Sequence, residues 1–290
     1  MKKTFGYYII LILTWPMQFL PLGFHYLFSD LIFFLLYRVT GYRRKVVEEN
    51  LRKSFPEKSQ AERDEIEKKF YRHFVDMFIE ALYFTHASHS KVSKRLVFEN
   101  IGLIDEQKAK GKNVILILGH LGNWEYFQLV REEIKEPKFF VFKHLGNKTF
   151  DQFYKLLRSR AAQPLEMKET YRKLYEVSKS GKQFVSFFVS DQRPLRTELF
   201  YWLTFMNQDT PVLTGTEKIA RKMNASVIYM EFSEIKRGYQ KVRFELLCDD
   251  VASTPEYEVT NRFFERLEKS IRQYPEQYFW THKRWKYKRN

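Results

Sequence analysis

Five consecutive apolar residues, Val114 to Leu118, run directly into Gly119-His120-Leu121-Gly122-Asn123-Trp124-Glu125 and constrain this chain more than any other stretch. An unbroken run of that length suits a strand buried on both faces, as in parallel sheets. Gly119 ends the strand and leaves His120 at its carboxyl edge, where open α/β sheets keep their ligands. Asn123 is a suitable N-cap for a helix through Trp124, Glu125, Phe127, Leu129 and Val130. On one continuous helix, side chains five apart point about 140° away from each other. With His120 in the turn and Glu125 in the first helical turn, the carboxylate is instead expected to fold back onto the ring. It would fix the tautomer and leave the other ring nitrogen as a general base. The competing reading is a satisfied loop histidine beside a first-turn glutamate that complements the helix dipole.

The start of the chain has a different character. Between Thr4 and Ser29 there is no Lys, Arg, Asp or Glu, while Lys2 and Lys3 precede the run and Arg38, Arg43, Arg44 and Lys45 follow its apolar continuation. A cleaved signal peptide would end in small residues, but here Pro16, Gln18, Pro21 and bulky aromatics follow the apolar core. The run is long enough to cross a bilayer, yet two prolines interrupt it. A kinked transmembrane helix, a re-entrant hairpin and an in-plane anchor all fit, against a buried core hairpin as the soluble alternative. We therefore divide the chain into a hydrophobic membrane anchor over 1–40 and a catalytic body over 41–290. Removal of the anchor is expected to release that body.

Past Tyr42 the composition turns charged. Val46, Val47, Leu51 and Phe55 form a helical stripe that Pro56 stops. Ser59 and Glu62 then make a capping box for a helix carrying Ile66, Phe70, Phe74, Phe78 and Leu82. Further strands are expected at Lys138–Phe142, Gln183–Val189 and Val227–Phe232, with a helix from about Thr149 to Arg160. Asp191 follows its strand as His120 does, which invites a site reading. His86 and His89 lack matching ligands and read as surface residues. The single cysteine, Cys248, excludes an intrachain disulfide or a paired-cysteine metal site and reads as core. A net charge of +15 calls for an anionic partner. No nucleic-acid motif accompanies it, and no glycine-rich phosphate loop indicates a nucleotide cofactor. No metal site and no cofactor are expected.

The stretch GHLGNWE resembles the histidine-x4-acid motif of the glycerolipid acyltransferase superfamily. With Asn-Trp inside and Glu as the acid, it is most similar to the late acyltransferases of lipid A biosynthesis, the lauroyl and myristoyl transferases. Two more segments, RRKVVEENLRKSFPEKSQAER and PEQYFWTHKRWKYKR, resemble the same family, and the likeness covers nearly the whole chain after Arg43. Met206 and Asn207 depart from the family's Phe-Phe-Gly-like turn. The resemblance implies an α/β fold with a mixed central sheet covered by helices, joined to an N-terminal membrane anchor. It implies transfer of a fatty acyl chain from acyl carrier protein to a hydroxyl of a phosphorylated glycolipid, at the bacterial inner membrane with the catalytic domain on the cytoplasmic side. His120 and Glu125 would form the base pair, and Arg158 would assist at the oxyanion or the phosphate. A different alignment gives that place to Arg160, which could also meet anionic lipid. Asn123, Arg160, Asp191, Arg284 and Lys286 would contact substrate. The last two belong to an aromatic and basic cluster, Trp280 to Arg289, suited to a phosphate-bearing headgroup at the membrane plane. The alternative is the same chemistry on a lysophospholipid or amino lipid, with acyl-CoA as the donor.

Overall fold

In a computed structural model, which describes residues 3–289, the buried run Val114–Leu118 lies at the centre of a sheet. Met1, Lys2 and Asn290 lie outside the described residues. The strands are β1 (Leu96–Glu99), β2 (Asn113–Leu118), β3 (Lys138–Phe142), β4 (Gln163–Glu166), β5 (Val185–Val189), β6 (Trp202–Phe205), β7 (Gln208–Pro211), β8 (Ala225–Lys236) and β9 (Tyr239–Cys248). Among the described residues seven of them form one sheet, in the order β1-β9-β8-β2-β5-β3-β4. All neighbours in it are parallel except the β8–β9 hairpin. The mixed, helix-covered α/β sheet expected from the sequence is thus the observed fold. β6 and β7 pair separately through a tight turn at Met206 and Asn207, both with positive φ (52° and 62°).

The helices are α1 (Phe5–Thr14), α2 (Leu22–Phe34), α3 (Arg44–Ser54), α4 (Gln60–Phe84), α5 (His89–Ser93), α6 (Leu103–Ala109), α7 (Lys148–Ser159), α8 (Thr170–Lys179), α9 (Gly215–Lys222) and α10 (Glu258–Gln273). β2 shows why the sheet needs cover on both sides. Ile115 and Ile117 feed a core shared with α3, α9 and α10, while Val114, Leu116 and Leu118 feed a second core shared with α6 and α7. Successive side chains point to opposite faces, so an all-apolar strand is stable only between two layers. α4 contributes to both cores, and its Ser59–Glu62 capping box forms as expected. Cys248 is buried at the end of β9.

The hydrophobic N-terminus is helical but interrupted. α1 continues into a tighter turn to Phe19, and Pro21 caps α2, which runs on through a π-helical turn to Thr40. Leu22–Thr40 is one helix of 19 residues, long and apolar enough to cross a membrane, and a third of its most apolar window is buried. Its two faces differ. Leu22, Tyr26, Ser29, Phe33 and Tyr37 recur at helical spacing and are buried; α2 packs on α4. Phe5, Ile12, Leu13, Phe19, Leu27, Leu31 and Val39 are all more than half exposed and make an uncovered apolar surface.

The inner face of α2 is also polar where it meets the body. Arg237, in the β8–β9 turn, donates to Asp30 (2.8 and 3.2 Å) and to Asp76 of α4 (2.7 and 2.8 Å). Ser29 donates to the same Asp76 at 2.5 Å, and Tyr26 donates to Glu80 at 2.6 Å. Asp76 and Glu80 are both buried. Segment 1–40 is therefore bonded into segment 41–290 by polar groups, and without it Asp76, Glu80 and Arg237 would each lose one of their partners, which is costly for buried charges. His86 takes part in the same docking, since its Nε2 lies 2.9 Å from the Thr14 hydroxyl. We predict that Arg237→Ala lowers stability by roughly 2–4 kcal/mol, somewhat below the full cost of an orphaned buried charge because Arg237 keeps some solvent contact. Thermal unfolding in detergent checks this. Deleting residues 1–40 should give aggregated protein rather than a soluble body, as read by size exclusion.

Candidate active site

The site grows from the register of two strands. β2 and β5 are parallel neighbours in which Leu118 stands opposite Val189. Two residues beyond each partner lie His120 and Asp191, so equal overhangs from adjacent parallel strands, about 4.8 Å apart, place them side by side. The Asp191 carboxylate accepts from His120 twice, from Nδ1–H at 2.5 Å and from the backbone N–H at 3.1 Å. Burial alone would raise the Asp191 carboxyl. The His120 ring, its hydrogen bonds and the Arg284 guanidinium outweigh burial and hold it below the usual carboxylate range. An ionised Asp191 on Nδ1 puts the proton there and leaves the lone pair on Nε2. That nitrogen faces the Gln192 carboxamide, whose nitrogen lies 3.1 Å away.

The carboxylate that orients His120 is thus Asp191 and not Glu125. From Asn123 the chain enters a 3₁₀ helix, Trp124–Glu132, rather than the expected α-helix. Glu125 turns inward, where it is 3% exposed and accepts from the Trp124 indole N–H at 3.0 Å. Arg158 on α7 grips it with two bonds, Nη2 at 2.5 Å and Nε at 3.1 Å. Burial works against the Arg158 charge, but Glu125 outweighs it and raises the guanidinium pKa further. Of the two candidate arginines, Arg158 is the one joined to the motif. Arg160 is exposed and donates to the Phe84 carbonyl at 2.7 Å.

Asn123 is a strut rather than a substrate contact. It is fully buried, its Oδ1 caps the Glu125 N–H at 3.1 Å, and its amide donates to Glu80 at 2.6 Å. Burial pushes the Glu80 carboxyl up to about 7 against the hydrogen bonds from Tyr26 and Asn123. A continuous polar path therefore joins the N-terminal helix, through Glu80, to the turn that carries His120. Gly122 has φ +64°, and a Cβ there would lie 2.5 Å from the Phe232 carbonyl oxygen. Only glycine fits this crossing.

The C-terminal segment braces the same turn. Gly122 N–H donates to Gln277, Phe279 N–H donates to the His120 carbonyl, and Leu121 pairs antiparallel with Tyr278. α3 in turn holds that brace, since Asn50 donates to the carbonyls of Trp280 and His282, and Arg43 donates to that of Thr281. The Trp124 and Phe279 rings flank His120, with centroids at 4.7 and 5.8 Å, which leaves its side chain 15% exposed.

A model of the bacterial lipid A biosynthesis acyltransferases matches residues 1–287. The chain belongs to that family. No curated protein matches it in a sequence search. A lipid A acyltransferase of this family takes a lipid A-type glycolipid as its acceptor, and all three segments that resemble it meet at one place here. The C-terminal brace is hydrogen-bonded to α3 on one side and to the histidine turn on the other.

One expected substrate contact of this acyltransferase is corrected by burial. Arg284 does not belong to a surface cluster, because it is 1% exposed and donates through Nη2 to the Pro211 carbonyl at 2.8 Å. Burial brings its pKa down to about 10 against the opposing pull of Tyr278 and Asp191. Its charge supports Asp191, a role hidden in the sequence because Arg284 sits among exposed cations. Lys286 is exposed. Gln192, Tyr278 and Glu80 also escaped the sequence reading, as none belongs to the motif. We predict that Arg284→Ala lowers the melting temperature and reduces transfer equally with phosphorylated and dephosphorylated acceptors. Lys286→Ala should leave the melting temperature unchanged. Differential scanning fluorimetry and paired kinetics check both.

Proposed function

We propose that this acyltransferase moves a fatty acyl chain from acyl carrier protein to a hydroxyl of a phosphorylated lipid A precursor, with His120 as general base. The observation that carries this reading is the Asp191–His120 pair, which leaves the Nε2 lone pair facing the Gln192 amide at the carboxyl edge of β2. The acceptor hydroxyl gives its proton to Nε2 as its oxygen attacks the thioester carbonyl. The tetrahedral adduct then collapses, the C–S bond breaks, and the thiolate leaves with the proton from the imidazolium. Asp191 holds the tautomer and stabilises the imidazolium. Glu125 serves by fixing Arg158, whose side chain remains partly exposed, 27%, beside the motif. No metal or cofactor enters this chemistry.

Membrane attachment through 1–40 is part of the same proposal. The uncovered apolar face of α1 and α2 suits an acyl environment, and a lipid acceptor has to be reached from the bilayer. We place the enzyme at the bacterial inner membrane with the body on the cytoplasmic side, where acyl carrier protein is available. The charge of +15 favours both an acidic carrier and a phosphorylated glycolipid.

Steady-state transfer with purified protein in detergent tests the mechanism. His120→Ala should lose about 10²–10⁴-fold in kcat, and Asp191→Asn should approach it because the wrong tautomer is then favoured. Glu125→Gln should be milder. Transfer near the wild-type rate by folded His120→Ala overturns the base assignment. Higher kcat/KM with acyl-CoA than with the acyl carrier protein thioester overturns the donor.

A further inference from the structure

We propose that Gln192 is a catalytic residue, whose carboxamide caps the His120 base at rest and donates to the developing oxyanion once the acceptor hydroxyl displaces it. This rests on the reading of His120 as the base.

Three observations carry it. First, the Gln192 amide nitrogen lies 3.1 Å from His120 Nε2, on the nitrogen opposite the one that Asp191 holds. With the proton on Nδ1, the amide N–H donates to the Nε2 lone pair. A single lone pair takes one well-aligned donor, and the acceptor hydroxyl needs that place at about 2.8 Å. The amide therefore occupies the hydroxyl's position in the resting enzyme.

Second, the displaced amide cannot go far. The preceding residue, Asp191, is pinned to His120 by two hydrogen bonds, and Ser190 N–H donates to the Leu118 carbonyl at 3.0 Å. The backbone at 190–191 is fixed, so only rotation of the Gln192 side chain can free Nε2. That rotation leaves its N–H groups within a few ångströms of the thioester carbonyl whose carbon is attacked, and negative charge builds up on the oxygen of that carbonyl.

Third, each nearby cation has a partner of its own, although Arg193 Nη1 and Arg284 Nε and Nη1 are buried without a hydrogen bond. Arg158 is held by both oxygens of Glu125, and Arg284 is buried behind Asp191 on the Pro211 carbonyl. Arg193, next in sequence, stacks over the Tyr287 ring at 5.6 Å. A neutral amide also suits the position electrostatically. It leaves Asp191 ionised and does not compete for the proton that Nε2 must receive and return.

The test compares Gln192→Ala, Gln192→Glu and His120→Ala in the full-length protein. The probes are a dodecanoyl thioester of acyl carrier protein and a phosphorylated glycolipid of the lipid A type. Gln192→Ala should lower kcat by about 10–10³-fold, the range for a lost oxyanion donor, with the acceptor KM within twofold. Its acid limb in kcat/KM should move to higher pH, because a hydrogen bond to the neutral imidazole is removed. The charged and titratable groups around the ring, Asp191, Arg284, Arg193 and His282, are unchanged in this variant. Gln192→Glu should be at least as slow, since a carboxylate cannot donate. Wild-type kcat and an unmoved pH profile in Gln192→Ala, with His120→Ala inactive, overturn the role of Gln192 and leave the base intact. A loss confined to KM overturns it too. An active His120→Ala instead removes the base reading itself.

Discussion

The hydrogen bond between His120 and Asp191 is the interaction on which the rest of the site depends. It is short and charge-assisted, and it joins the ends of two adjacent parallel strands 71 residues apart in sequence. It fixes the ring, the tautomer and the direction of the Nε2 lone pair together. The surroundings are arranged to keep it so. Arg284 supplies a buried positive charge that sustains Asp191 as an anion, and the Trp124 and Phe279 rings restrict access to the imidazole. Glu125 has a separate partner in Arg158, so the two acidic residues of the site carry different tasks.

Around this bond the protein is built as a set of supports that converge on one turn. Gly122 allows the chain to pass against the Phe232 carbonyl, the C-terminal residues 277–279 pair with the turn from one side, and Asn123 ties it to Glu80 from another. Glu80 also receives Tyr26 of the N-terminal helix. The apolar N-terminus is therefore a structural part of the body that carries the His120 turn, with one face bonded into α4 and the other left uncovered. Buried polar contacts of this kind are expensive to leave half-satisfied, which favours a single docked arrangement.

Much was legible in the sequence, because short-range physics decides it. The all-apolar run Val114–Leu118 could be stable only between two layers, and it lies in the centre of the sheet with a core on each face. The Ser59–Glu62 capping box, the helix ending before Pro56, the strand Lys138–Phe142 and the burial of Cys248 follow from residue type and local spacing. The family's segments were equally visible, since they are contiguous strings of residues.

Partnership across the fold was decided only by the tertiary structure. His120 and Glu125 are close in sequence, which made them look like a pair, yet the short capped turn and 3₁₀ helix send Glu125 towards α7. Asp191 becomes the partner because β5 is hydrogen-bonded beside β2 in a register that matches their overhangs, and strand order is not written in either strand alone. Arg284 has the same lesson, for it stands among exposed lysines in the sequence and is nonetheless fully enclosed where the C-terminal segment crosses the end of β7. The sequence by itself determined the family's contiguous segments and the sheet edge at which His120 and Asp191 stand. Long-range packing determined which carboxylate meets which cation or ring, because that depends on contacts between segments whose separation along the chain carries no periodic signal.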